Sequence, residues 1–266
     1  MSEPVVLITG ASSGIGLALA EEYAERGARV ALLARRAERL EEAARRLGGA
    51  AIRCDVCVDG DVERATTEVE QRFGRIDVAI ANAGIGVGGS IDKLSLDDYR
   101  RQFETNVFGV VRTVKAVLEP LRRSRGRLGI VGSVNGFLPA AGWSPYVASK
   151  FAVRGLAEAL ALELGPQGVS VTHIAPGFVE SEMRLIDKRT GSVKDGARDP
   201  VPRWLVMPGR VAAKHIADAL EARQVEVVIT NHGKLAAWAT RMAPGLVRGV
   251  LGLAGKRMKP GEISLR

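Results

Sequence analysis

The amino-acid sequence predicts an α/β fold, a single domain on a doubly wound, seven-stranded parallel sheet. Seven short apolar runs are continuous rather than alternating, which is typical of strands covered on both faces. Segments with helical period lie between these runs, so strand and helix alternate as they do in βαβ units. A length of 266 residues suits one large α/β domain.

The apolar runs place the predicted strands at Val5–Thr9, Val30–Ala34, Ala51–Cys54, Ile76–Ala81, Leu128–Gly132, Val169–Ile174 and Val225–Thr230. The predicted helices lie at Ile15–Arg26, Ala37–Leu47, Asp61–Phe73, Leu96–Arg123, Pro145–Leu164 and Arg210–Arg223. The charged, non-periodic segment 182–203 breaks this rhythm, and we expect it to be a substrate loop. We therefore predict one domain over 1–230 and a basic amphipathic extension over 231–266.

Composition excludes several classes of protein. Hydrophobic residues make up 46% of the chain, which excludes wholesale disorder. The sequence contains no run of 18 apolar residues, so no transmembrane span is predicted. The first ten residues lack a basic region and predict a strand rather than a signal peptide. Cys54 and Cys57 offer no disulfide framework and no set of zinc ligands, so we expect a cytoplasmic protein without a metal.

The charge is unevenly placed. The net charge is +8, and residues 231–266 contain seven Lys and Arg against one acid, Glu262. Because the excess lies in the extension, nucleic-acid binding is not expected. Lys234, Arg241 and Arg248 recur every seven residues among large apolar side chains. Three interpretations of 231–266 stay open, namely peripheral contact with an anionic membrane, docking over the active-site mouth or another subunit, and disorder.

A glycine-rich turn between the first strand and the first helix predicts a dinucleotide site and a Rossmann-like fold. Its residues are Thr9, Gly10, Ala11, Ser12, Ser13, Gly14, Ile15 and Gly16. Glycines let the backbone approach a pyrophosphate, and the helix amino terminus offers free N–H groups. No Gly-Lys-Ser/Thr follows, which excludes a nucleotide-triphosphatase loop. The alternative is a turn without a ligand.

Arg35 and Arg36 follow the second strand, where an acid would bind the ribose 2′-hydroxyl of NAD. No acid occurs between Arg26 and Glu38, and two guanidiniums suit a 2′-phosphate. The sequence therefore predicts that NADP(H) is preferred over NAD(H). The alternative is that both arginines are simply solvated.

The motifs, taken together and in order, resemble those of the short-chain dehydrogenases/reductases over about residues 4–230. They are Thr9-Gly10-x3-Gly14-x-Gly16, Asp55-Val56, Asn82-Ala83-Gly84, Asn106, Ser133, Tyr146-x3-Lys150 and Pro176-Gly177. The resemblance implies an oxidoreductase that moves a hydride between the nicotinamide and a secondary alcohol, ketone or aldehyde. It also implies a homodimer or homotetramer.

Tyr146 and Lys150 are spaced to share one face of a helix. A nearby positive charge favours the phenolate, and lowering a phenol pKa from ~10 to ~7 needs about 4 kcal/mol. Tyr146 is therefore the predicted general acid/base. A hydroxyl at Ser133 can bind the substrate oxygen. The resemblance implies a proton relay through Asn106, whose alternatives are a local kink or a solvent-facing residue.

The resemblance also implies further cofactor contacts. Asp55 would accept from the adenine amino group, beside Val56, although a plain loop acid is the alternative. Asn82, Ala83 and Gly84 would line the adenosine. The nicotinamide would meet the turn formed by Pro176, Gly177, Val179 and Ser181, where Ser181 stands in place of the family's frequent Thr.

The substrate itself stays open. Proximity to the motifs suggests an apolar pocket lined by Phe137, Leu138, Trp143, Phe178, Met183 and Trp204. Two other functions are alternatives: a sensor or scaffold that binds NADP(H) without turnover, and a membrane-surface enzyme of the same chemistry acting on lipids. The joint presence of Ser133, Tyr146 and Lys150 favours an enzyme.

Overall fold

The structure is a computed structural model that describes residues 3–181 and 201–257. The strands are β1 Val5–Thr9, β2 Arg29–Ala34, β3 Ala50–Arg53, β4 Val78–Ala81, β5 Arg127–Val131, β6 Ser170–Ala175 and β7 Glu226–Val228. They form one sheet in the order β3-β2-β1-β4-β5-β6-β7, and every pair is parallel. The predicted seven-stranded, doubly wound α/β fold is confirmed.

Helices cover both faces of the sheet. They are α1 Gly14–Glu25, α2 Ala37–Leu47, α3 Asp61–Phe73, α4 Leu96–Phe103, α5 Gly109–Ser124, α6 Ser144–Leu164, α7 Gly209–Glu221, α8 Asn231–Met242 and α9 Pro244–Arg257. One apolar cluster joins the sheet to α3, α5 and α6, and a second joins it to α1, α2 and α7. Successive residues of β1 enter opposite clusters, as the strand pleat requires.

The predicted single helix Leu96–Arg123 is wrong in its middle. Residues Glu104–Phe108 form a π-helical turn between α4 and α5. A π-turn places one extra residue in the helical ladder, which reorients the side chains that follow, and such turns are frequent at functional sites. Asn106 lies at the centre of this turn.

The extension is helical over the part that the structure describes. Two helices, α8 and α9, meet at Pro244, so disorder is wrong for residues 231–257. Of the predicted substrate loop 182–203, residues 182–200 lie outside the described residues. The chain after them forms a short 3₁₀ turn at Arg203–Leu205.

Candidate active site

The candidate site lies at the carboxyl edge of the sheet, where the strand order reverses. β1 pairs with β2 on one side and with β4 on the other. The connections leave these neighbouring strands in opposite directions, which opens a crevice beyond their ends. The predicted motifs follow the ends of successive strands, and the parallel sheet therefore brings them to one edge.

Three glycines shape the turn after β1. Gly10 and Gly14 have φ angles of 69° and 56°, in the left-handed region that favours glycine. A Cβ atom on Gly16 would lie 2.5 Å from the side-chain nitrogen of Asn82 and 2.5 Å from the carbonyl oxygen of Gly10. The glycine pattern therefore produces a tight turn that closely contacts the end of β4.

Thr9 and Asn82 brace this turn by reciprocal hydrogen bonds. The backbone amides of Asn82 and Ala83 donate to Thr9 Oγ1 at 3.1 and 3.2 Å. Asn82 Nδ2 donates to the carbonyl oxygens of Thr9 and Gly10 at 2.9 and 3.2 Å. Both side chains thus shape the turn, while the contact of Asn82, Ala83 and Gly84 with an adenosine stays a prediction.

The amino terminus of α1 fits a phosphate. Ser13 is the N-cap residue, but its hydroxyl does not cap the helix, and the first turn contains no acid. Uncapped amides and the positive end of the helix dipole favour an anion. Arg36 reaches this helix end, donating through Nη2 to Ser12 Oγ at 2.9 Å and to Ser13 Oγ at 2.7 Å.

Arg35 extends into solvent at the end of β2. Its side chain is 69% exposed, and Nη1 lies 3.9 Å from Asp55 Oδ2. Together with Arg36 it gives this strand end two guanidinium groups, which suit a phosphate better than a ribose hydroxyl. The side chain of Val56 is buried against Gly109 of α5. Contact of Val56 with a cofactor stays a prediction.

Tyr146 and Lys150 lie one turn apart on α6, beside the end of β5. Lys150 Nζ donates to the carbonyl oxygen of Val131 at 2.9 Å and lies 5.7 Å from the centroid of the Tyr146 ring. The half-buried Tyr146 ring packs edge-on against Trp143, with centroids 5.8 Å apart. The structure thus holds a cation close to the phenol by means of a neutral carbonyl.

Burial alters the acidity of Lys150. Its side chain is buried, and the loss of hydration lowers the pKa of the ammonium group to about 8. The amine still carries its proton at neutral pH. A charge in so poorly hydrated a place acts on its neighbours more strongly than it would in water.

Ser133 follows β5 directly and is buried. Its hydroxyl oxygen accepts a hydrogen bond from the Asn135 backbone amide at 3.1 Å. A hydroxyl that accepts one bond can still donate its proton to another oxygen. The predicted hydroxyl is therefore present at the strand end beside Val131, the residue that binds Lys150.

Asn106 is buried and joins three segments of the site. Its Oδ1 accepts from the Ile85 amide at 2.8 Å, and its Nδ2 donates to the Ile85 carbonyl at 3.0 Å. Nδ2 also donates to Ser149 Oγ at 3.3 Å, and Ser149 in turn donates to the Tyr146 carbonyl at 2.7 Å. A solvent-facing Asn106 is excluded; the residue links the π-turn to the Tyr146 helix.

Comparison with known proteins decides the family. The sequence profile of the family described as short chain dehydrogenase matches residues 4–190. The chain belongs to the short-chain dehydrogenase family. This agrees with the resemblance found in the sequence and with the Rossmann-like sheet.

The relatives of this short-chain dehydrogenase are covered to different extents. An 11-beta-hydroxysteroid dehydrogenase A from Sesamum indicum is 39% identical over 67% of this chain and 53% of its own, so the chain spans about half of that relative. Dehydrogenase/reductase SDR family member 7B from Bos taurus is 33% identical over 91% and 78%. The structure of an alcohol dehydrogenase from Thermococcus sibiricus complexed with 5-hydroxy-NADP has 30% identity and a TM-score of 0.74, covering 86% and 97%.

The turn after β6 depends on residues that no sequence motif singled out. The Phe178 amide donates to Nε2 of His232 at 3.3 Å, and Thr230 Oγ1 lies 3.1 Å from the same nitrogen. A Cβ atom on Gly177 would lie 2.1 Å from Thr230 Oγ1 and 2.6 Å from His232 Nε2. The first turn of α8 therefore packs directly on this predicted nicotinamide turn. In the sequence, the one sign of this contact is that Thr230 ends the last predicted strand, Val225–Thr230.

A buried glutamine also escaped the sequence analysis. Gln102, one turn before Asn106, accepts from the Val87 amide at 2.6 Å and donates to the Ile85 carbonyl at 2.9 Å. Like Asn106, it binds the backbone that follows β4. The neighbouring residues of α4 are mostly charged, so the sequence does not mark Gln102 as buried and only the fold reveals it.

The predicted pocket lining is partly wrong. Phe137 is buried, with the guanidinium of Arg154 4.1 Å and that of Arg241 5.1 Å from its ring centroid. It therefore forms part of the contact between α6 and α8 rather than an open pocket wall. Trp204 is 83% exposed, and Met183 lies outside the described residues.

The remaining sequence features belong to the scaffold. Cys57 Sγ lies 3.3 Å from Thr105 Oγ1, and Cys54 is buried. Within residues 3–181 and 201–257, no three His, Cys, Asp or Glu side chains are grouped to hold a metal ion. The same described residues include no helix that is both long enough and apolar enough to cross a membrane.

Proposed function

We propose that this short-chain dehydrogenase is an NADP(H)-dependent oxidoreductase that interconverts a secondary alcohol and a ketone, or an alcohol and an aldehyde, by a Ser-Tyr-Lys mechanism. Its substrate is a small molecule. The names of its relatives, a hydroxysteroid dehydrogenase and an alcohol dehydrogenase among them, support chemistry at a hydroxyl or carbonyl carbon.

One contact supports the proposal most strongly. The hydrogen bond from Lys150 Nζ to the Val131 carbonyl fixes the active face of α6 against the end of β5. Ser133 stands two residues further along that strand end, and Tyr146 one turn back on the helix. This supports a shared site for the hydroxyl, the phenol and the buried cation at the sheet edge where the glycine turn also lies.

Each residue has a distinct task in the proposed reaction. In carbonyl reduction the Tyr146 hydroxyl donates its proton to the substrate oxygen, and in alcohol oxidation the phenolate takes that proton back. The Lys150 ammonium stabilises the phenolate by charge. The Ser133 hydroxyl donates to the substrate oxygen as negative charge develops on it. Asn106 and Ser149 hold the Tyr146 backbone in place.

The cofactor site fits a dinucleotide on three observations. The glycine turn leaves no room for a Cβ on Gly16, the amino terminus of α1 is uncapped, and Arg36 lies over its serines. The nicotinamide, when bound, supplies or accepts the hydride. Arg35 and Arg36 at the end of β2 support the preference for NADP(H) over NAD(H).

The decisive experiment compares Tyr146→Phe with the wild type. NADPH consumption is followed with a panel of ketones and aldehydes, and the variant should lose about 10²- to 10⁴-fold in kcat. Tyr23→Phe is the matched control, because Tyr23 is buried in α1 away from the site. Equal turnover by Tyr146→Phe and the wild type would refute the mechanism. NADPH binding without turnover on any substrate would favour a sensor or scaffold.

We also propose that the protein is a homo-oligomer. Large apolar side chains are exposed on the helices next to the site, at Phe108, Phe151 and Leu162. Light scattering of the wild type should give a dimer or tetramer. Phe151→Glu should shift that mass toward the monomer, and a monomeric wild type would contradict the assignment.

A further inference from the structure

Helix α8 differs from an ordinary surface helix in the side chains that it buries. Its inner face consists of small residues, and Gly233 and Ala237 are buried. A Cβ atom on Gly233 would lie 2.6 Å from Val134 Cγ2, so the helix is seated tightly on the turn that follows Ser133. This close fit determines which residues of α8 face outward.

The outward face is formed by large apolar side chains. Leu235, Trp238 and Met242 are 61–68% exposed and follow the spacing of one helical face. An amphipathic helix of a globular domain normally buries such residues. In α9, Leu246, Val250 and Leu253 are also 58–71% exposed.

We call these six side chains the apolar face of α8 and α9. α9 begins at Pro244, directly after α8, and the two helices contact each other. Apolar exposure on this scale marks an interaction surface rather than ordinary surface composition.

The charged side chains of α8 and α9 are all of one sign. Exposed Lys234 and Arg248 flank it, and residues 231–261 contain no acid. Arg241 is engaged with Glu226 at 2.6 Å and so helps hold α8 on the domain. Of the net charge of +8, +6 lies in residues 231–266.

The exposed apolar side chains and the positive charge together distinguish between two binding partners, a second copy of the chain and a lipid bilayer. A second copy of the chain would bring two sets of cations together without an acid from this segment to balance them. An anionic bilayer offers an apolar interior for Leu, Met and Val, an interface for Trp238, and negative headgroups for the cations. Charge complementarity therefore favours the bilayer.

We propose that the apolar face of α8 and α9 is a peripheral membrane-binding surface for anionic lipid bilayers. The bond from the Phe178 amide to His232 and the packing of Gly233 keep the first turn of α8 on the catalytic domain. Membrane contact through this face would therefore occur with the domain still attached in a defined orientation. This inference does not depend on the proposed enzymatic activity.

The test is co-sedimentation of the full chain with vesicles. The probes are vesicles of phosphatidylcholine alone and vesicles of phosphatidylcholine mixed with phosphatidylglycerol. Wild type should bind the mixed vesicles at least tenfold more tightly than the neutral ones, and added salt should weaken the binding. No binding to either vesicle would overturn the proposal.

Variants separate the apolar contribution from the electrostatic one. Trp238→Ser with Leu235→Ser should lower vesicle affinity at least tenfold, as should Lys234→Glu with Arg248→Glu. Ile91→Ser, which removes an apolar side chain that is 70% exposed on another surface, should change nothing. Circular dichroism and thermal melting establish that each variant is folded.

Two outcomes would contradict the assignment. Vesicle binding by the Trp238→Ser, Leu235→Ser protein equal to that of the wild type would show that the apolar face is not the binding surface. Self-association that these substitutions abolish, without vesicle binding by the wild type, would instead assign the face to contacts between copies. The vesicle result does not depend on whether Tyr146→Phe loses NADPH turnover, so the two proposals can fail separately.

Discussion

The backbone amide of Phe178 donates a hydrogen bond to Nε2 of His232 at 3.3 Å, across 54 positions of sequence. The two rings also pack together, with centroids 5.3 Å apart and planes tilted by 30°. Burial lowers the pKa of His232, which keeps the imidazole neutral near pH 7 and its Nε2 able to accept. The turn predicted to receive the nicotinamide is therefore held by the extension.

Removing the His232 imidazole should weaken this turn. His232→Ala should raise the KM for NADPH about three- to tenfold, with a smaller change in kcat, because one hydrogen bond of about 1 kcal/mol is lost. Steady-state kinetics with NADPH varied measures both constants. His215→Ala, an exposed histidine on α7, is the control and should leave them unchanged.

The same bond predicts a pH effect. As pH falls through the lowered pKa of His232, Nε2 acquires a proton and can no longer accept from Phe178. The wild-type kcat/KM for NADPH should therefore decline on the acid side of the ordinary histidine pKa, and His232→Ala should lack that decline. Identical acid limbs in both proteins would contradict the role of His232.

Lys150→Met should abolish turnover and yet stabilise the fold. The buried ammonium has a pKa of about 8, below its value in the unfolded chain, so its charge costs folding free energy at neutral pH. After subtraction of the lost bond to Val131, we expect a net gain of about 2 kcal/mol. Urea unfolding at pH 7 measures this gain, with exposed Lys214→Met as control.

The sign of the pH dependence follows from the direction of that shift. Between pH 8 and about 10.5 the unfolded wild type binds more protons than the folded one, so wild-type stability rises with pH over this window. The advantage of Lys150→Met should therefore shrink from pH 8 upward. An advantage that stays constant to pH 10 would show that burial of charge is not its cause.

Arg35→Ala should alter the choice between the two nicotinamide cofactors. Loss of one charge-assisted contact to a 2′-phosphate should raise the KM for NADPH about 10- to 150-fold and leave the KM for NADH nearly unchanged. Arg45→Ala, an exposed arginine in the last turn of α2, is the matched control. Equal losses for both cofactors would remove the argument for NADP.

Two glycine-to-alanine changes should differ in their effects, since one should weaken NADPH binding and the other should stabilise the fold. Gly16→Ala would force Asn82 or the Gly10 carbonyl to move, and NADPH affinity should fall about 100-fold or more, as measured by fluorescence titration. Gly155→Ala on α6 meets no atom within 4 Å and should stabilise the protein by about 0.5–1 kcal/mol. A Gly16→Ala protein with normal affinity would disprove the close-contact explanation.

Much of the fold could be predicted because the relevant information is local. β1 was placed correctly at Val5–Thr9, and α2 and α3 were predicted with their observed ends. A parallel sheet brings all its carboxyl ends to one edge, so locating the strands also located the motifs. Tyr146 and Lys150 lie one turn apart on α6, as their spacing predicts, and their catalytic roles stay predictions.

The misses have a common physical cause, which is tertiary contact. The π-turn at Glu104–Phe108 goes with bonds from Asn106 to the Ile85 backbone, and helical periodicity does not record such partners. Phe137 was assigned to a pocket because it is close to Ser133 in sequence, but its side chain points between two arginines. His232 was overlooked since its partner lies in a distant segment.

The bracing of the glycine turn by Asn82 has a kinetic consequence. A loop already bent to its final shape loses little chain entropy when a ligand arrives, and no slow ordering step precedes capture. Encounter between the dinucleotide and this chain should accordingly follow a single exponential whose rate grows linearly with ligand concentration. If the loop had first to assemble, the rate observed by stopped flow would instead level off at high ligand concentration.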